Sequence, residues 1–148
     1  ISDVIMHTLK YFERKKEFFD YILLLEPTSP LTTSNDINQA IEILEKNKNK
    51  ADALVSVVEN ISHHPKFSVK LDKNHMLKSY GSKFYSDNRQ KLDKVFSYSG
   101  NFYLSKVNTF IKRQTFYHKK TRAIISSKAK SFEVDDRIDF LIIERIMK

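Results

Sequence analysis

Tyr21-Ile-Leu-Leu-Leu-Glu-Pro-Thr-Ser-Pro-Leu-Thr-Thr33 is the stretch whose reading decides the fold. Its first five residues, Tyr21 to Leu25, form the longest apolar run in the chain. Such a run suits a strand covered on both faces, as in a parallel sheet. The following segment, Glu26 to Thr33, carries Pro27 and Pro30, which forbid both helix and central strand. A buried strand therefore ends in a stiff loop. Ser34 or Asn35 can cap a helix after it, with Asp36 in the first turn. Ile37, Ala40, Ile41 and Leu44 supply the buried stripe of that helix. Lys46 to Lys50 is a polar break, and Ala53-Leu-Val-Ser-Val-Val58 reads as a second buried strand. Strand, helix and strand in this order make the βαβ unit of an α/β fold.

Outward from this unit, Val4, Ile5, Leu9 and Phe12 recur near the helical period, which predicts an amphipathic helix over 2–16. Beyond Val58 the texture changes. Lys66 to Leu71 alternates, Asp72-Lys-Asn-His75 is a turn, and Met76 to Tyr80 continues as an antiparallel hairpin exposed on one face. Residues 81–94 are polar, basic and irregular. Val95 to Leu104 is strand-like, and Gly100 inside it predicts a bulge or a close backbone approach. A short helix follows at Val107 to Gln114. Arg122 to Ser126 and Ser131 to Val134 are strand candidates. Asp135 or Asp136 caps a last helix that buries Ile138, Leu141, Ile142 and Ile146.

The 148 residues fit one domain and suffice to bury roughly two-thirds of the unfolded-chain surface. Without cysteine, a disulfide scaffold and a Cys-based zinc site are excluded. With only Gly81 and Gly100, no glycine-rich loop can cradle a phosphate. No apolar run approaches the ~20 residues of a membrane span. The chain opens at Ile1 without a signal-peptide pattern, so the expected location is the cytoplasm and the expected status is a piece of a longer chain. Lys and Arg number 26 against 18 Asp and Glu, a net charge of +8. Twenty of those cations are Lys, scattered rather than gathered on one helix, which reads as a solvated surface. A nucleic-acid partner or a charged small molecule is the alternative.

In open α/β sheets ligands bind beyond the carboxyl ends of the strands. Glu26 to Thr33 lies at such an end and offers the hydroxyls of Thr28 and Ser29 on a rigid loop; the competing reading is a plain proline-rich turn. Glu133-Val-Asp-Asp136 lies at another. At strand spacing Glu133 and Asp135 share a face, and two hard oxygen donors suit Mg²⁺ carrying a nucleotide's phosphates. Alternatively, Asp135 caps the last helix and Glu133 is a surface carboxylate. His63-His64-Pro65 reads as a turn with one histidine packed, since adjacent side chains in extended backbone point apart. Arg89, in Asn88-Arg-Gln-Lys-Leu92, can hold a carboxylate in a bidentate fork or stand solvated in its loop.

The order of five segments carries more than any one of them. Leu23-Leu-Leu-Glu-Pro-Thr-Ser-Pro-Leu31, His63-His-Pro65, Asn88-Arg-Gln90, Ser99-Gly-Asn-Phe-Tyr103 and Ser131-Phe-Glu-Val-Asp135 together resemble the acylneuraminate cytidylyltransferases, the CMP-sialic acid synthetases. That family's pattern runs LLQPTSPLRT, HHP, RQ, NGAIY and SIDID. The resemblance implies a partial Rossmann-like nucleotide-diphospho-sugar transferase fold in 1–59 and 99–148, with an inserted antiparallel dimerisation element in 60–98. It implies an enzyme that joins CTP to a nine-carbon α-keto sugar acid with Mg²⁺ and releases pyrophosphate. Glu26, Thr28 and Ser29 match positions that line the sugar pocket. Glu133 and Asp135 match the two carboxylates that hold Mg²⁺. Arg89 and Gln90 match the segment that reaches the partner subunit's sugar in a homodimer.

Departures from the pattern sharpen the expectation. Glu26 stands where many members have Gln, Thr32 replaces Arg, and Glu133 replaces Asp. Ser97 and Ser99 replace Arg and Asn ahead of Gly100. Glu26 beside an anionic sugar points to a sugar other than N-acetylneuraminic acid, the stretch Glu26 to Thr32 resembles the legionaminic branch, and Glu133 adds a methylene and some freedom to the metal site. The family's N-terminal basic loop for the CTP triphosphate is absent, so this chain is expected to be weakly active or inactive by itself. The competing functions are a non-catalytic dimerising remnant, a basic nucleic-acid-binding domain, and a nucleotidyltransferase for an eight-carbon keto sugar acid.

Overall fold

A computed structural model describes residues 1–81, 84 and 88–148. The chain divides into two compact units, Ile1–Val58 with Tyr98–Lys148, and Glu59–Ser97.

The first unit is mixed α/β. Its order is α1 (Ser2–Arg14), β1 (Tyr21–Leu25), α2 (Ser34–Lys46), β2 (Ala53–Glu59), β5 (Phe96–Lys106), α3 (Val107–Arg113), β6 (Thr121–Ile125) and α4 (Arg137–Met147), with β3 and β4 falling in the second unit. The sheet runs β1-β5-β2-β6. The two strands of the expected βαβ unit thus belong to one sheet but do not pair with each other. β5 lies between them, antiparallel to β1, with Leu23 opposite Leu104. β2 and β6 pair in parallel, with Val55 opposite Ala123.

Strand alternation separates two cores. On one face Leu54, Phe102 and Leu104 meet Ala40 and Leu44 of α2. On the other, Val55, Val57 and Tyr103 meet Ile5 of α1, Phe110 of α3 and Phe116. Burial on both faces is confined to the central strands β2 and β5; Tyr21–Leu25, expected to be buried, is half-buried with Leu25 exposed, because β1 is an end strand of the sheet. Ser56, buried within β2, exchanges hydrogen bonds with the backbone of Phe102 at 3.3 Å, so its hydroxyl is satisfied inside the core.

The start of α2 departs from expectation, while that of α4 is one of the two caps expected. The N-cap of α2 is Thr33, not Ser34 or Asn35: Thr33 and Asp36 form a reciprocal capping box. Lys130 holds Asp36 from the far side at 2.7 Å. α4 is capped by Asp136, whose carboxylate accepts from the Ile138 and Asp139 backbone N–H groups. The predicted α4 stripe is wrong. Ile138, Leu141, Ile142 and Ile146 are exposed, and Ile143 is the buried residue. It faces a groove shared with Pro30, Val134 and Phe140. Apolar residues surround nearly the whole helix, so periodicity leaves its phase undecided. Ser131 to Val134 is not a strand either; Ala129–Ser131 is a 3₁₀ turn and the chain beyond is extended.

In the second unit, β3 (Val69–Leu71) and β4 (Leu77–Ser79) form the expected antiparallel hairpin. Both its faces are open, and Val69, Leu71 and Leu77 are exposed. His64 is packed and caps a 3₁₀ turn at Pro65–Phe67: Nδ1 accepts from the Lys66 N–H, and Nε2 lies 3.3 Å from the Asp93 carbonyl oxygen. Arg89–Lys91 is another 3₁₀ turn, capped by Asn88. Of the stretch expected to be irregular, residues 82, 83 and 85–87 lie outside the described residues.

Candidate functional site

The loop after β1 is stitched at nearly every residue. The Ser29 N–H donates to the Glu26 carbonyl at 3.0 Å, closing the proline-framed turn. Thr28 accepts at its carbonyl from the Val134 N–H at 2.8 Å. Ser29 is buried, and its hydroxyl donates to Glu133 Oε1 at 3.2 Å. The loop after β1 and the segment before α4 are therefore joined by backbone and side chain at one point.

Gly100 explains why this junction can close. Its φ is +63°, and a Cβ built on it would lie 1.5 Å from Glu133 Oε1. The close approach expected at this glycine is made by the Glu133 carboxylate, which occupies the space a side chain would need. Next to it, Asn101 is buried. Its Nδ2 donates to Thr32 Oγ1 at 3.1 Å and to the Lys130 carbonyl at 2.7 Å, while its Oδ1 accepts from Ser99 at 2.7 Å. Asn101 ties together β5, the loop after β1 and the turn before Glu133. Sequence reasoning quoted Asn101 inside a motif without giving it a role; the signal was the lone glycine in a strand beside it.

Burial pushes the Glu133 carboxyl above its ordinary value; the Ser29 hydrogen bond opposes this, and the charges of Glu26 and Asp135 add to it. Asp135 is exposed, so the two carboxylates do not share one environment even though they act on each other. Among the described residues no three His, Asp or Glu side chains are grouped to hold a metal. Two hard oxygen donors that repel each other nevertheless fit Mg²⁺, which is commonly held by one or two carboxylates and completed by substrate phosphates and water.

Glu26 also borders an open cleft of about 160 Å³ with Leu24, Tyr103, Gln114, Phe116 and Tyr117. Tyr103 stacks at 5.6 Å on Phe116 and edge-on at 6.2 Å against Tyr117. Its phenol is driven well above the ordinary range, chiefly by burial and further by the neighbouring Tyr117 and Glu26. Tyr103 closes one of the five motif segments but was given no role there, and Tyr117 carried no signal in the sequence. They belong to different elements, β5 and the turn after α3, and only the fold brings them to Glu26. The remaining candidates, Arg89 and Gln90, are exposed on their 3₁₀ turn in the second unit.

No protein-family model matches the chain. It is 30% identical to CMP-N,N'-diacetyllegionaminic acid synthase of Legionella pneumophila, over 99% of this chain and 63% of that protein. It is 26% identical to the post-translational flagellin modification protein B of Campylobacter coli, over all of this chain and 60% of that one. It is 30% identical to an N-acylneuraminate cytidylyltransferase of Streptococcus agalactiae, over 94% of this chain and 32% of that protein. The chain thus spans at most 63% of the length of these relatives. Among solved structures, 4-diphosphocytidyl-2C-methyl-D-erythritol synthase from Anaerococcus prevotii matches 93% of the chain and 65% of its own, with a TM-score of 0.56 at 9% identity, a likeness of fold. The resemblance carried by the five motifs is met by homologues along the whole chain, and the nucleotide-diphospho-sugar transferase fold by this neighbour.

Proposed function

We propose that the chain acts in a Mg²⁺-dependent cytidylyltransferase that transfers CMP from CTP to a nonulosonic, sialic-type acid and releases pyrophosphate. The observation that carries this reading is the junction of Glu133 with Ser29 and Gly100, which unites the two motif segments that the resemblance assigns to sugar and metal. The names of the homologues support the same chemistry.

In this reading the sugar's anomeric hydroxyl attacks the α-phosphorus of CTP. A new P–O bond forms, the bond to the pyrophosphate oxygen breaks, and pyrophosphate leaves with that electron pair. Glu133 and Asp135 would hold Mg²⁺, which when bound neutralises charge on the phosphates. The hydroxyl proton passes to bulk water as the new bond forms. Glu26 and the hydroxyl of Thr28 orient the sugar, while Ser29 acts through Glu133 by fixing its carboxylate. Arg89 and Gln90 serve the partner's sugar across a homodimer built on the second unit. Glu26 in place of Gln favours a sugar of the legionaminic kind over N-acetylneuraminic acid.

The test is pyrophosphate release with CTP, Mg²⁺ and a panel of nonulosonic acids, on this chain and on a version lengthened upstream. Turnover dependent on both sugar acid and Mg²⁺ supports the reading. Dimerisation without turnover in either version overturns it in favour of a non-catalytic dimer. Binding to arbitrary DNA that collapses with salt would instead support a nucleic-acid role.

A further inference from the structure

We propose that Asn101 is a positioning residue for the divalent-cation site: its buried amide, together with Thr32 and Ser99, fixes where Glu133 presents its carboxylate. This rests on the cytidylyltransferase reading, which gives Glu133 and Asp135 to the cation, and adds to it a group that touches neither cation nor substrate.

Three departures from the family's pattern meet at this amide. Aligned on LLQPTSPLRT, Thr32 stands in the place of arginine. Aligned on NGAIY, Ser99 stands in the place of asparagine and Asn101 in that of alanine. Thr32 and Asn101 are 69 positions apart, yet the three side chains form one network. Asn101 Nδ2 donates to Thr32 Oγ1 at 3.1 Å, and Asn101 Oδ1 accepts from the Ser99 hydroxyl at 2.7 Å. Ser99 and Asn101 are both buried, so their polar groups depend on these partners. An amide at 101, where the pattern has a methyl group, is thus matched by hydroxyls at 32 and 99.

The amide also reaches the segment that carries Glu133. Asn101 Nδ2 donates to the Lys130 carbonyl at 2.7 Å, three positions before Glu133. The Lys130 ammonium is held by both Asp36 carboxylate oxygens at 2.7 Å, so this turn is tied by side chain as well as backbone. On the other side of Glu133, the Val134 N–H donates to the Thr28 carbonyl at 2.8 Å. Glu133 lies between two tethered points, and Asn101 supplies one of them. With alanine at 101, the Lys130 carbonyl and the Ser99 hydroxyl lose this partner, and the turn is free to shift. Groups that orient a cation's ligands carry roughly 10- to 100-fold of its affinity.

The experiment uses Mn²⁺ as the probe, because it shares the preference of Mg²⁺ for octahedral oxygen sites and its EPR signal reports binding. The full chain is compared with Asn101→Ala, Glu133→Gln and Leu44→Ala, and backbone amide spectra establish which variants are folded. Leu44→Ala loosens the core under the same sheet without touching the network. Asn101→Ala is expected to weaken Mn²⁺ binding about tenfold, and Leu44→Ala to leave it unchanged. Unchanged affinity in folded Asn101→Ala, or an equal loss in Leu44→Ala, overturns the positioning role and leaves the cation assignment standing. If Asn101→Ala does not fold, Thr32→Val and Ser99→Ala take its place, since each removes one partner of the amide. Weaker binding in either is then expected, and unchanged binding in both overturns the proposal. Wild-type binding that survives in Glu133→Gln, or no binding by the wild type, overturns the cation assignment and the positioning role with it.

Discussion

Gly100 is the residue at which conformation and chemistry are least separable. Its positive φ costs other residues about 1 kcal/mol or more, and its missing Cβ gives Glu133 its place. Gly100→Ala is expected to destabilise the chain by about 1–3 kcal/mol. Repeating the substitution in a Glu133→Ala background should recover the steric part of that loss and leave the backbone part. A double-mutant cycle in urea measures the coupling, and additive losses would show that the two residues do not compete for space. Glu133 itself has a second signature. Its carboxyl is raised above the ordinary value of 4.5, so folding favours the protonated form. The stability it contributes is fully present below the unfolded-state value and is lost as pH rises through the raised folded value. Glu133→Gln should therefore melt at a higher temperature than the wild type near pH 7, with the two curves converging at about pH 4 and below. A constant offset at all pH values would refute that account.

At the scale of elements, the caps fix where helices begin, and packing against neighbouring segments fixes which face is buried. Thr33→Ala breaks the capping box of α2 and should cost about 1 kcal/mol. In α4, Ile143 is 3% exposed and Ile138 is 67% exposed. Ile143→Ala should therefore cost about 2–4 kcal/mol, whereas Ile138→Ala should stay within about 0.5 kcal/mol. Thermal melts of the two variants decide between this phase and the one periodicity suggests. The loop after β1 was legible for a plain reason: two prolines leave one kind of backbone available. The phase of α4 was not, because Phe140, Leu141, Ile142 and Ile143 are consecutive apolar residues and any stripe passes through one of them.

For the molecule as a whole, the first unit rests on one sheet with a core on each face, and Phe102 is among its most deeply buried residues at 1% exposure. Phe102→Ala should cost about 3–5 kcal/mol, a large share of the 5–15 kcal/mol a domain of this kind possesses. Denaturant unfolding followed by tyrosine fluorescence would record it. No helix among the described residues is long and apolar enough to cross a membrane. The sequence by itself determined the class of fold, because short apolar runs at Tyr21–Leu25 and Ala53–Val58, separated by a capped amphipathic helix, must be written as strands of one α/β sheet, although only the second proves buried. It also determined the motif segments, since proline, glycine and paired carboxylates restrict backbone and charge locally. Only the tertiary structure decided that β5 inserts between β1 and β2, that Glu133 turns into the space above Gly100, and that Tyr103 and Tyr117 meet Glu26. Those facts depend on which distant segments pack together, from Gly100 with Glu133 to Ser29 with Glu133 at a separation of 104 residues, and such packing leaves no periodic trace in the chain.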